Sequence, residues 1–169
     1  AGNFRGISMN AAKTRLLFVV ENERHGGGER AFAQLINGLD KGRFDIYVAC
    51  LTGTPGAAVF IREISRSAMV ISLDLRRLVN FRAVPALRAL IREYAIELVH
   101  SQGPRADFYC RLALDGSGVK HVCTVASPVE EYDVGPLKKV AYIVADRFLA
   151  PAVNSYVAVA GHIKIKLMD

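Results

Sequence analysis

A chain of 169 residues with 51% apolar side chains can bury a sizeable core, which excludes an intrinsically disordered protein and fits one α/β domain. No apolar run reaches the ~18 residues that span a bilayer, and no apolar signal-peptide core opens the chain, so a cytoplasmic protein is expected. The formal charge of +6 is concentrated at the start, where Arg5, Lys13 and Arg15 stand without an acid; the rest is mildly basic, and no stripe of cations and aromatics suggests a nucleic-acid partner.

Residues 1–12 read as a disorder-prone tail, with Ala1 to Ser8 an expression remnant ahead of a natural start at Met9. Arg15 to Val20 is a short apolar run with β-branched and aromatic members, the pattern of a strand buried on both faces of a parallel sheet. Glu21 to His25 is polar, and Gly26-Gly27-Gly28 breaks the chain. From Glu29 a helix is expected, its inward face Phe32, Leu35, Ile36 and Leu39. Phe44 to Leu51 is a second strand. Pro55 opens a helix carrying Val59, Phe60 and Ile64 inward, and Ala68 to Leu73 is a third strand.

Val84, Leu87, Leu90, Ile91 and Tyr94 repeat at helical spacing, with Pro85 tolerated in the first turn. Ile96 to Ser101 returns to strand, Pro104 to Leu114 to helix, and Val119 to Val125 to strand. Ser127 to Pro136 is a loop long enough to be functional. Leu137, Val140, Ala141, Val144 and Phe148 mark another helix face, Ser155 to Ala160 a sixth strand, and His162 to Met168 a further helix. Such alternation predicts an open, doubly wound, mostly parallel sheet of Rossmann type with helices on both faces, occupying residues 13–160. Residues 161–169 look like the start of an inter-domain segment, cut before a further domain.

Cys50, Cys110 and Cys123 are odd in number and widely spaced, which favours reduced, buried thiols over disulfides. His25, His100, His121 and His162 are equally scattered, so neither a metal site nor a cofactor is expected.

The glycine cluster admits three readings. It is a tight turn without a ligand, a dinucleotide fingerprint, or a cleft loop facing a phosphorylated sugar. Consecutive glycines ahead of a helix let backbone N–H groups and the positive dipole end approach an anion. Gly26, Gly28 and Ala31 formally fit G-x-G-x-x-A. However, five polar residues separate them from the strand, and Cys50-Leu51-Thr52 supplies no acid for a ribose. No Gly-Lys-Ser/Thr follows, so a nucleotide-triphosphate loop is excluded.

From Lys13 onward the chain resembles the N-terminal half of the GT-B-fold retaining glycosyltransferases of family 4. Gly26-Gly27-Gly28-Glu29 matches the family's G-G-x-E loop, and Glu97 to Gln102 is similar to its D-V-V-H-x-H strand. Val122 to Ser127 resembles the strand that ends T-x-H, and Tyr156 to Ala160 the A-V-S strand. The resemblance implies an enzyme that moves a sugar from a nucleotide-sugar donor to a glycan or lipid-linked acceptor. A further domain would bind most of the donor, so this chain alone would be inactive. Gly26, Gly27, Gly28 and Glu29 would then lie beside the donor phosphates and sugar, with His100, Ser101, Gln102, Arg105, Ser127 and Tyr132 lining the cleft and no metal required.

Departures stand at Gln102, Ala126 and Ala160, where the family has histidine, histidine and serine. Alanine at 126 can form no side-chain hydrogen bond, so the catalytic group is not identified. A GT-B-fold sugar epimerase and a non-catalytic sugar- or lipid-binding module are the alternatives. His100 either bonds a neighbouring loop or faces the ligand edge. Arg105 either meets a phosphate or, the reading preferred from sequence, is solvated. Glu130, Glu131 and Asp133 are acceptor contacts or an exposed charge run, and Tyr132 could stack on a sugar. Leu75 to Arg82 interleaves three arginines with apolar residues, either a peripheral membrane contact or a connecting loop.

Overall fold

The computed structural model describes residues 12–21, 26–51, 55–73, 75, 80–126, 135, 140, 143–144 and 147–168. Its elements run β1 (Thr14–Val20), α1 (Gly27–Gly38), β2 (Phe44–Cys50), α2 (Pro55–Ile64), β3 (Met69–Ser72) and α3 (Ala83–Glu93). They continue with β4 (Leu98–Gln102), α4 (Pro104–Leu114), β5 (Lys120–Val125), a 3-10 turn at Ala150–Ala152, β6 (Ser155–Ala158) and a helix, α5 (Gly161–Met168). The six strands form one parallel sheet in the order β3-β2-β1-β4-β5-β6. This is the doubly wound α/β architecture the alternation predicts. Order reverses between β1 and β4, which makes their carboxyl ends the topological switch point.

Strand alternation divides the core between two faces. Leu16, Phe18 and Val20 of β1 pack with Phe32, Ala33 and Ile36 of α1 and Phe60 and Ile64 of α2. Leu17 and Val19 face the other way, onto Leu87 and Ile91 of α3 and Ala106, Tyr109 and Cys110 of α4. A strand with apolar side chains on both faces has nowhere to put them except under helices on both sides. Full burial of each such side chain is worth about 1.5–3 kcal/mol relative to exposure.

Helical periodicity placed some side chains wrongly. Leu35 is exposed, while Ala33 is buried in its place, because the inward face of α1 centres on Phe32 and Ile36. Residues 140, 143–144 and 147–149 are helical, yet Val140, Val144 and Phe148 are exposed, so no described residue covers the face the periodicity marked as inward. Leu137 and Ala141 lie outside the described residues. Cys50, Cys110 and Cys123 are free and buried, as their spacing suggested.

Two ties steady the α3/α4 layer next to the switch point. The Arg88 guanidinium donates to the carbonyls of Leu112 and Ala113 at 2.9 and 3.1 Å, supplying partners that the last turn of α4 lacks internally. Tyr109 Oη, buried beneath, accepts the Asn80 N–H at 2.7 Å and so fixes the entry to α3.

Candidate functional site

At the switch point the register sets Val20 of β1 beside Gln102 of β4, and Gln102 beside Thr124 of β5. The glycine loop therefore leaves the sheet next to the end of β4. Gly26 is extended and caps α1, and its N–H donates to Glu29 Oε2 at 3.0 Å, so a carboxylate from the first helical turn holds the loop. The three glycines differ in surroundings. A Cβ at Gly27 would meet nothing within 4 Å, one at Gly26 would come to 3.2 Å of Glu29 Oε2, and one at Gly28 to 2.8 Å of Gln102 Nε2. Gly27 faces open space, where backbone N–H groups of the first turn have room for an anion.

Beneath the edge, strand alternation separates the residues that sequence had grouped. His100 faces α1. Its ring packs on Phe18 and Phe32 with centroids at 5.2 and 5.0 Å, and its Nε2 pairs with Thr124 Oγ1 at 2.7 Å. Burial pushes its pKa down to about 4, so the ring is neutral. Ser101 faces α4 and is fully buried, its Oγ 2.8 Å from His121 Nε2. Desolvation first, then the Arg111 charge and His100, lower His121 to about 4 as well. His100 and Ser101 are both buried, and both belong to the hydrogen-bonded core below the edge. Gln102, at the strand end, is the half-buried member of the trio.

Arg105 is a correction to the solvated reading. It is 6% exposed and pairs through Nη1 with Glu21 Oε1 at 3.4 Å, while Nη2 donates to the Leu75 carbonyl at 2.8 Å. The Arg105 backbone N–H also donates to Glu21 Oε2 at 3.0 Å, so this carboxylate closes the amino end of α4. Gly103, which precedes α4, has φ +97°, and a Cβ there would come to 3.2 Å of Glu21 Cβ. Sequence reasoning missed Glu21 and Gly103. The available signals were an acid directly at the end of β1 and a glycine directly ahead of Pro104, the N-terminal proline of α4.

Ala126 follows β5 at the same edge and is exposed. Ser127 and Tyr132, with Glu130, Glu131 and Asp133, lie outside the described residues, as do Arg76, Arg77, Leu78 and Val79. Among the described residues no group of three His, Cys, Asp or Glu side chains converges as a metal site requires. No described helix is long and apolar enough to cross a membrane.

The family profile described as Glycosyltransferase Family 4 matches residues 25–169, from the glycine loop through β6 and α5. The chain belongs to glycosyltransferase family 4. Solved structures agree on the fold. A glycosyltransferase from Rickettsia africae ESF-5 superposes with a TM-score of 0.68 at 18% identity, over 93% of this chain and 39% of its own. A putative UDP-N-acetylglucosamine 2-epimerase from Listeria monocytogenes gives 0.68 at 13% identity, over 93% and 41%. The lipopolysaccharide outer core galactosyltransferase WaaB, in its apo form, gives 0.62 at 13% identity, over 92% and 42%. This family 4 chain thus spans about two fifths of the length of each of these neighbours. No curated protein matches it in sequence.

Proposed function

We propose that this family 4 domain, residues 13–160, is the N-terminal, acceptor-side half of a retaining glycosyltransferase of GT-B fold. The enzyme transfers a sugar from a nucleotide-sugar donor to a glycan or lipid-linked acceptor. The observation that carries this reading is the position of the Gly26-Gly27-Gly28-Glu29 loop. It sits at the topological switch point, with Gly27 facing open space at the amino end of α1. Backbone donors there can stabilise the charge that grows on a departing nucleotide phosphate. Gln102 and Ala126 stand at the same edge, and the resemblance makes Ser127 and Tyr132 further cleft-lining candidates. Residues 161–169 lead into a second domain that holds most of the donor, so the present chain alone turns nothing over. The protein is cytoplasmic, with a peripheral contact at the inner face of a membrane where the acceptor is lipid-linked.

Ala126 favours a second reading, a sugar epimerase or a non-catalytic binding module, because its side chain offers no hydrogen bond at the edge. One experiment separates the three. The full-length protein and its Ala126→His variant are assayed with a panel of nucleotide sugars, following glycoside product, its anomeric configuration and any free-sugar epimer. A glycoside of retained configuration from the wild-type protein supports the transferase. An epimer without transfer supports the epimerase, and binding without turnover in both proteins supports the module.

A further inference from the structure

Between β5 and β6, residues 140, 143–144 and 147–149 are helical, and the outward side of this helix is apolar. Val140, Val144 and Phe148 recur at every fourth position, so they share one face, and they are 58%, 61% and 83% exposed. Phe148 is the most exposed large apolar side chain among the described residues. The outer faces of other helices carry polar side chains, Arg30, Gln34 and Asn37 on α1 and Arg88, Arg92 and Glu93 on α3. We propose that the face of Val140, Val144 and Phe148 is a membrane-docking surface, which inserts into the headgroup region of an anionic bilayer. This rests on the peripheral membrane contact in the function proposed above and gives that contact its residues.

Charge and shape select that occupant. In sequence, residues 137–149 contain Lys138, Lys139 and Arg147 against one acid, Asp146, and Arg147 is exposed on the turn between Val144 and Phe148. A second copy of this chain would bring like charges together, whereas anionic headgroups complement them. Eight helical steps make the stripe about 12 Å long. An apolar helix face bordered by cations lies in the plane of a bilayer surface, which asks for no shape-matched groove. Topology places the stripe in a definite layer. β4, β5 and β6 are successive neighbours in the sheet, so right-handed crossovers put this helix on the same side as α4. α3 packs on that side too, and exposed Phe81 and Arg82 lead directly into it. One helical layer therefore carries both exposed phenylalanines, each beside an arginine.

The chain contains no tryptophan, so Phe148→Trp sets a single reporter on this face, and Gln34→Trp sets one on the exposed face of α1, across the sheet. Each is mixed with vesicles of phosphatidylcholine, with and without phosphatidylglycerol. The emission of Phe148→Trp should move to shorter wavelength and be quenched by brominated lipid with the anionic vesicles alone, while that of Gln34→Trp stays that of a ring in water. In the full-length protein, Val144→Glu with Phe148→Glu should weaken sedimentation with anionic vesicles about tenfold or more, and Arg147→Gln about fivefold at low salt. The double variant should keep the wild-type thermal midpoint and gel-filtration volume. An unmoved reporter, or binding that survives the double substitution, overturns the assignment. A lowered midpoint or a changed oligomeric state in the double variant also overturns it, since the face is then covered by the rest of the protein or by a second copy. Glycoside formation on a water-soluble acceptor separates this surface from the transferase reading, and it should be equal in wild type and double variant. Glycoside without vesicle binding removes the docking face and leaves the transferase. Vesicle binding through this face without glycoside removes the transferase and leaves the docking face.

Discussion

Arg105 gives both its backbone N–H and its guanidinium to one carboxylate, Glu21, at 3.0 and 3.4 Å. The pair links the end of β1 to the start of α4 across the switch point, and its side chains are 6% and 15% exposed. Removing one member of a nearly buried pair strands the other charge away from water. Arg105→Ala should therefore cost about 3 kcal/mol of unfolding free energy in urea titrations. Lys13 and Asp45 form the contrasting case, a 3.2 Å pair with side chains 44% and 48% exposed. Lys13→Ala should change stability by less than about 0.5 kcal/mol. Equal losses in the two variants would mean that the Glu21 pair is as solvated as the surface one.

Gly103 depends on the same arrangement. With φ +97° it occupies backbone space that L side chains rarely adopt, and its missing Cβ leaves room for Glu21. Gly116 has φ +70° but nothing within 4 Å of a built Cβ, so it isolates backbone strain from the steric term. Gly116→Ala should cost about 1 kcal/mol and Gly103→Ala about 2–3 kcal/mol, read from denaturant midpoints. A Gly103→Ala variant no worse than Gly116→Ala removes the close approach to Glu21 from the account.

The fold was legible because each strand announces itself twice, by its apolar run and by the helix period that follows. Pro104 to Leu114 was placed to the residue, since a proline at the first helical position and glycines beyond Leu114 bracket it. The site was less legible for a reason visible in β4. His100, Ser101 and Gln102 are consecutive, and consecutive strand residues point to opposite faces. One therefore packs against α1, one against α4, and Gln102 reaches the edge because the strand ends there. Arg105 was misjudged because its partner, Glu21, lies 84 residues away along the chain, and no local pattern reports such a contact.

The two buried histidines make stability pH-dependent. His100 and His121 are each lowered to about 4 from an ordinary value of 6.5, chiefly by desolvation. The unfolded chain takes up their protons first, so their contribution is fully present above about pH 6.5 and is lost as the pH falls toward 4. Each shift corresponds to at most roughly 3 kcal/mol. The thermal midpoint should fall between pH 7 and pH 4.5, and His100→Asn with His121→Asn should flatten that fall while lowering the midpoint at pH 7. A wild-type midpoint that holds constant down to pH 4.5 contradicts neutral, buried rings.

The stretch leading into α3 sets the prediction about membranes. Arg76 to Val79 lie outside the described residues, but Phe81 and Arg82 beyond them are exposed. They are held in place by two bonds, Asn80 N–H to Tyr109 Oη at 2.7 Å and Arg82 N–H to Asn80 Oδ1 at 3.1 Å. An aromatic side chain in water beside a cation suits an anionic lipid surface, where each basic residue contributes about 1 kcal/mol and a partly inserted ring adds to that. Sedimentation with anionic and neutral vesicles, using protein that lacks residues 1–8 and their cation, should show weak binding to the anionic vesicles alone, diminished by salt. Phe81→Glu with Arg82→Glu should weaken it about tenfold or more, since two favourable groups are replaced by two repelled ones. Binding that is undetectable, that is equal on neutral vesicles, or that survives this double substitution assigns Phe81 and Arg82 to a solvated connection between β3 and α3.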